Sequence, residues 1–189
     1  MNKIVIFASG SGSNAEKIIL HFKNNSSVNV AGIFSNNLRA KVLERAAAHD
    51  VPTFVFNKEE LNTGEVLRQL NEIQPDLIVL AGFLLKFPED IIHAYPNMVI
   101  NIHPALLPKY GGKGMYGMHV HQAVLDNNEK ETGITIHYVN EHYDEGAIIA
   151  QHFVNIENCT SAEEIAQKVH ELEHVYFPIT IEKLITHNL

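Results

Sequence analysis

The chain has 189 residues, 46% of them apolar and 19% charged, with 22 acidic against 14 basic side chains and a formal net charge of −8. At this length roughly 70% of the unfolded surface can be buried, which excludes a chain dependent on disulfide or metal staples and a disordered or fibrous one. The densest basic stretch is only Arg39, Lys41 and Arg45, which argues against a nucleic-acid partner, and the single cysteine, Cys159, excludes a disulfide framework and fits a reducing cytoplasm.

The first strand is predicted over Lys3–Ala8, whose five apolar residues run into Gly and Ser and are too few for a secretory leader. A helix over Asn14–Phe22 follows, then a strand at Val28–Phe34, a helix at Arg39–His49, a strand at Thr53–Phe56 and a helix at Glu60–Ile73. Leu77–Ala81 reads as the next buried strand; the apolar run it opens, to Leu85, is half the length of a membrane span. A helix at Glu89–Ala94 and a strand at Met98–Ile102 precede a glycine-rich loop and a helix around Val120–Leu125. Two further strands are expected at Gly133–Val139 and Ala147–Val154. Thr160-Ser161-Ala162-Glu163-Glu164 carries a capping-box signal, and Ile165, Val169, Leu172, Tyr176 and Ile179 then form one apolar helical face. Pro178 lies inside that pattern and is expected to kink it. The alternation predicts an α/β fold: a doubly wound, Rossmann-like, mostly parallel sheet with helices on both faces and a long C-terminal helix, binding its ligands at the carboxyl edge.

Ser9-Gly10-Ser11-Gly12-Ser13-Asn14-Ala15 falls where the first strand turns into the first helix. Glycines allow a sharp turn and close backbone approach, and the N–H groups and dipole of the helix start favour an anion. Gly10-x-Gly12-x-x-Ala15 also satisfies the dinucleotide fingerprint, but the second strand ends Phe34-Ser35-Asn36-Asn37, without the carboxylate that would meet the ribose. A phosphate-monoester site is therefore preferred over a dinucleotide site or a plain capped turn.

In Val99-Ile100-Asn101-Ile102-His103-Pro104, alternation puts Asn101 and His103 on one side of the strand at its carboxyl end. An amide that donates to an oxyanion beside an imidazole that exchanges a proton near neutrality is a usable pair. Asn140-Glu141-His142-Tyr143-Asp144-Glu145-Gly146 is a polar loop from which Glu141, Asp144 or Glu145 could face His103; an opposite charge there would raise the histidine pKa.

Together, Ser9–Asn14, Leu80-Ala81-Gly82-Phe83, Asn101-Ile102-His103-Pro104-Ala105-Leu106-Leu107-Pro108 and Asp144-Glu145-Gly146 resemble the phosphoribosylglycinamide formyltransferase family, folate-dependent enzymes of purine synthesis, from Lys3 to about Ile181. The resemblance implies one domain over 1–189, with about 1–100 holding the ribonucleotide phosphate and about 101–189 carrying the catalytic and folate-binding groups. It implies that Asn101 and His103 are catalytic, that Asp144 raises the histidine pKa, that Gly12, Ser13 and Asn14 hold the phosphate of glycinamide ribonucleotide, and that Glu173 meets the ribonucleotide. It further implies that 10-formyltetrahydrofolate is the cosubstrate, enclosed by Leu84, Leu85, Lys86 and Phe87 and by Asn101, Val139, Asn140, Glu141 and Asp144. The implied reaction is direct attack of the ribonucleotide amine on the formyl carbon, without a metal. The implied partners are small molecules only, with no nucleic acid or membrane, and a homodimer is the one assembly to test.

Three departures from the family pattern stand out. Phe83-Leu84-Leu85-Lys86-Phe87 displaces the family's basic residue by one position; Lys109–His119 is several residues longer than its counterpart and carries four glycines; and the arginine for the folate tail has only Lys58, Arg68 and Lys86 as candidates. Rival readings are another formyltetrahydrofolate-using enzyme (a hydrolase or a sugar-nucleotide formyltransferase), a zinc hydrolase using His119 and His121 with His103, His137 or His142, and a non-catalytic nucleotide-binding module. The family's methionyl-tRNA branch adds a C-terminal nucleic-acid domain and its hydrolase branch an N-terminal regulatory one. A first strand at residue 3 and a chain closing on its last helix are expected of neither.

Overall fold

The computed structural model describes residues 1–187. Its elements in chain order are β1 (Asn2–Phe7), α1 (Ser13–Phe22), β2 (Val28–Ser35), α2 (Lys41–Ala47), β3 (Thr53–Val55), α3 (Lys58–Asn62), α4 (Glu65–Ile73), β4 (Leu77–Leu80), α5 (Glu89–Ala94), β5 (Val99–His103), α6 (Met118–Asp126), β6 (Glu131–Tyr138), β7 (Ile148–Asn155) and α7 (Ala162–His187). The seven strands form one sheet in the order β3-β2-β1-β4-β5-β6-β7. The first five are parallel, whereas β6 pairs antiparallel with both β5 and β7. Parallel strands with helical crossovers must be covered on both faces, so their sequences read as unbroken apolar runs.

Alternation along β1 distributes that core. Ile4, Ile6 and Ala8 face α1, α2, α6 and α7 through Ile18, Val42, Val124 and Phe177, while Val5 and Phe7 face α3, α4 and α5 through Leu61, Leu70 and Ile91. Phe7 stacks on Phe34 with ring centroids 4.8 Å apart and meets Phe87 edge-on at 5.1 Å.

The predicted helix over 60–73 is two helices. Gly64 adopts φ +87°, a left-handed conformation that ends α3 and starts α4, and Asn57 and Glu60 form a capping box that opens α3. The expected cap of the last helix is present, with the Glu164 N–H donating to Ser161 Oγ at 3.2 Å. α7 runs through Pro178 without a break, held on both sides of it by the fully buried Phe177 and Ile181. Among the described residues no helix is long and apolar enough to cross a membrane.

The sheet order sets the location of the chemistry. β1 lies between β2 and β4, so crossovers leave it in opposite directions, and a crevice opens at the carboxyl ends of β1 and β4, beside β5.

Candidate active site

A cleft of about 330 Å³ occupies that crevice. The turn after β1, the segment after β4, the end of β5 and the loop between β6 and β7 all border it, as do His121 of α6 and Glu173 of α7. Every residue assigned from the sequence to catalysis, to the ribonucleotide or to the folate lines this one cleft.

At the β1–α1 turn, Gly12 adopts φ +71°, and a Cβ there would overlap Val42 of α2. It is also the N-cap of α1, and no side chain caps that end. The first-turn N–H groups at this dipole end are therefore left for an anion. Ser9 Oγ donates to Asn36 Oδ1 at 2.6 Å, so an amide occupies the β2 end where a dinucleotide site carries its acid. Asn14 Nδ2 donates to Glu173 Oε2 at 2.9 Å, joining α1 to α7. Glu173 is only 5% exposed and accepts a second hydrogen bond from His170 Nδ1 at 2.9 Å.

At the end of β5, register explains the neighbours. Asn101 lies opposite His137 and His103 opposite Thr135 across the antiparallel pair, so polar groups stack on one face of the sheet. His137 Nδ1–H donates to the Tyr138 carbonyl at 2.8 Å, which leaves its Nε2 to accept from Asn101 Nδ2 at 3.1 Å. That contact uses one amide proton of Asn101 and leaves the other for a ligand.

His103, 3% exposed, donates from Nε2 to the Tyr110 carbonyl at 2.7 Å and turns Nδ1 toward Asp144 Oδ2 at 3.6 Å. Of the three loop acids, then, it is Asp144 that faces the imidazole. Its other oxygen, Oδ1, is 3.6 Å from His137 Nε2, and the Gly112 N–H donates to Oδ2 at 2.9 Å. Asp144 itself sits at φ +57°, a left-handed conformation that Asp tolerates better than most residues.

Burial, the largest influence on His103, lowers its pKa below the ordinary value; Asp144 and the Tyr110 carbonyl pull upward and only partly offset it. The expectation that Asp144 lifts His103 above its usual pKa is therefore corrected. The carboxylate acts in the expected direction, but desolvation of a ring this deeply enclosed is larger. Burial alone would raise Asp144, yet His137, His103 and the Gly112 N–H outweigh it and keep the carboxyl below its usual range.

The folate-side residues divide by role. Leu85 and Val139 are half-buried and offer an apolar wall. Phe87 is a core residue, its ring packed on Phe7 and Phe83. Lys86 is held by Glu89 at 2.9 Å, Glu141 by His93 at 2.9 Å, and Asn140 Oδ1 by the His142 N–H at 3.0 Å. Of the candidates for the folate tail, Lys86 alone borders the cleft, while Arg68 is engaged by Glu65 and Glu72 on α4.

Apart from the rival zinc reading of His121 and His137, sequence reasoning gives no role within this site to His137, His121 or the Tyr110 carbonyl. The alternation Thr135, His137 along β6 carried the signal for His137, but using it required the β5–β6 register. For the zinc reading, His119 is exposed against Tyr116 while His121 is buried, and no group of three or more His, Cys, Asp or Glu among the described residues could hold a metal ion.

The chain matches the formyl transferase family over residues 2–181. The phosphoribosylglycinamide formyltransferase of Bacillus subtilis (strain 168) is 36% identical over 191 residues, covering 98% of this chain and 95% of its own length. The chloroplastic phosphoribosylglycinamide formyltransferase of Arabidopsis thaliana is 39% identical over 180 residues; the match covers 91% of this chain and 61% of that longer relative. The crystal structure of phosphoribosylglycinamide formyltransferase from Bacillus halodurans superposes with a TM-score of 0.89 at 37% identity, covering 100% of this chain and 97% of that one. Sheet order, crevice and sequence thus lead to one conclusion: this chain belongs to the formyl transferase family, among the phosphoribosylglycinamide formyltransferases.

Proposed function

We propose that the protein transfers the formyl group of 10-formyltetrahydrofolate to the amino group of glycinamide ribonucleotide, a step of purine biosynthesis. The observation that carries this reading is the convergence of Asn101, His103 and Asp144 on the same cleft as the uncapped Gly12–Asn14 turn and the buried Glu173.

The phosphate would bind the free N–H groups of Gly12, Ser13 and Asn14, where a helix start attracts an anion despite the net charge of −8. Glu173 accepts hydrogen bonds, so it would meet hydroxyl or N–H groups of the ribonucleotide. The pterin would lie along Leu85 and Val139, with backbone groups of residues 84–86 and 140–144 at its edge. A neutral amine needs no base to attack, only desolvation and alignment.

As negative charge gathers on the formyl oxygen, the free amide proton of Asn101 and the His103 imidazole would stabilise it. His103 rests as a neutral Nε2–H ring; the attacking amine, made acidic once it is bonded to the formyl carbon, would give its proton to the imidazole, whose imidazolium form Asp144 and the developing charge favour, and the ring would pass that proton to the departing folate nitrogen. For Nε2 to act, the Lys109–Gly112 turn must release it from the Tyr110 carbonyl.

The test is an absorbance assay mixing glycinamide ribonucleotide with 10-formyldideazafolate. Deformylation that needs both compounds supports the reading. Deformylation without the ribonucleotide makes the protein a hydrolase, and none with both present overturns the proposal.

A further inference from the structure

The chemistry above leaves one buried imidazole without a task. His121, in the first turns of α6, lines the cleft and is 2% exposed, yet its Nδ1 is enclosed with no hydrogen-bond partner among the described residues. Its α6 neighbours Val120 and Val124 are equally buried and apolar. An apolar side chain would fill this position without stranding a polar atom, so a histidine here carries a stability cost that packing alone does not explain.

Its surroundings determine what it can offer. An enclosed nitrogen without a partner is better tolerated as a lone pair than as an N–H, so Nδ1 is bare and the proton is on Nε2. The titratable groups acting on the ring are His170 and Glu173 of α7 and His103 of β5, so it stands between the ribonucleotide side of the cleft and the formyl-transfer centre. Burial first, then the two histidines, hold its pKa down to about 4 against the opposite pull of Glu173. At neutral pH the ring is therefore an uncharged donor. The groups around it are already committed: Glu173 Oε2 to Asn14 and His170, each at 2.9 Å, and His103 Nε2 to Tyr110 at 2.7 Å.

We propose that His121 Nε2–H donates to an acceptor oxygen of the bound ribonucleotide, in the segment joining its phosphate to the reacting amine, and so aligns that amine with His103. This assignment rests on the ribonucleotide-formylating reading and adds to it a residue that orients the substrate.

The experiment is steady-state formyl transfer with both substrates varied, for the parent, His121→Phe, His121→Gln and His121→Asn. The Gln amide reaches about as far as Nε2, whereas the Asn amide reaches only as far as Nδ1. Phe should lower kcat/KM for the ribonucleotide about tenfold, as expected for one lost neutral hydrogen bond, and leave KM for the folate unchanged. Gln should recover most of that loss and Asn should not. Because the donor is uncharged, the parent-to-Phe ratio should stay constant across the range around neutrality. If His121→Phe fails to fold, the Gln–Asn contrast carries the test.

The inference is overturned if His121→Phe matches the parent for the ribonucleotide, if Asn rescues as well as Gln, or if the ratio grows as pH falls. A parent that never consumes the ribonucleotide defeats the functional reading and this inference together. A working parent matched by His121→Phe defeats only the role of His121.

Discussion

Replacing Asp144 with asparagine removes one charge and little else. Asn keeps an oxygen to accept the Gly112 N–H, and it tolerates the left-handed φ of +57° that alanine would resist. The variant should therefore fold. What it loses is the carboxylate 3.6 Å from His103 Nδ1. At that separation and an effective dielectric constant of ~20, a unit charge pair is worth about 5 kcal/mol, which is a ceiling because the Asp144 side chain retains 13% exposure. Removing one group that stabilises transition-state charge costs on the order of 10²–10³ in rate, so kcat for Asp144→Asn should fall by about that factor. The sign of the pH effect is also defined. If protonated His103 is the acid, the rate falls as pH rises through its pKa in the complex; without Asp144 that pKa drops, and the falling limb moves toward acid. The assay is the formyl-transfer pH–rate profile of parent and variant, with near-ultraviolet circular dichroism confirming the fold. A variant within about threefold of the parent, its falling limb unmoved, would refute the reasoning.

Gly12→Ala adds a Cβ to a residue at φ +71° and drives it into Val42, so it should cost roughly 2–5 kcal/mol, lower Tm on the order of 10 °C and raise KM for the ribonucleotide; thermal melts and kinetics check both. His121 makes stability depend on pH. Its pKa is depressed from 6.5 to about 4, so the unfolded chain takes up the proton first as pH falls, and about 3 kcal/mol is lost progressively between those values. Burial depresses His103 too, adding loss in the same direction. Urea unfolding across that range should show the slope, and His121→Phe should flatten it; an unchanged slope would contradict the burial argument.

Most of the fold was legible because parallel strands buried on both faces announce themselves as apolar runs. The sequence read β1, β2, β4 and β5 to within a residue or two, and the strand-end logic led directly to Asn101 and His103. Local backbone geometry was harder. Nothing in Thr63-Gly64-Glu65 says that Gly64 adopts a positive φ rather than riding inside a helix, and the packing of Phe177 and Ile181 carries α7 through Pro178 against local preference. In the site, the part that escaped sequence reasoning is the part made by pairing. His137 meets Asn101 only because β6 runs antiparallel beside β5 in one register, and Glu173 is buried only because α7 returns over α1 to meet Asn14. The direction of the His103 shift was misjudged for a related reason. Sequence shows the charge that will stand beside a residue but not how deeply the fold encloses it.

The most direct measurement replaces His103 with alanine and follows two quantities on the same preparation: ribonucleotide affinity by calorimetry and formyl transfer in a single turnover. With the phosphate on the β1–α1 turn and the chemistry at β5, affinity should stay within about twofold while the transfer rate falls by roughly 10³. Transfer at the parental rate by this variant would contradict the account.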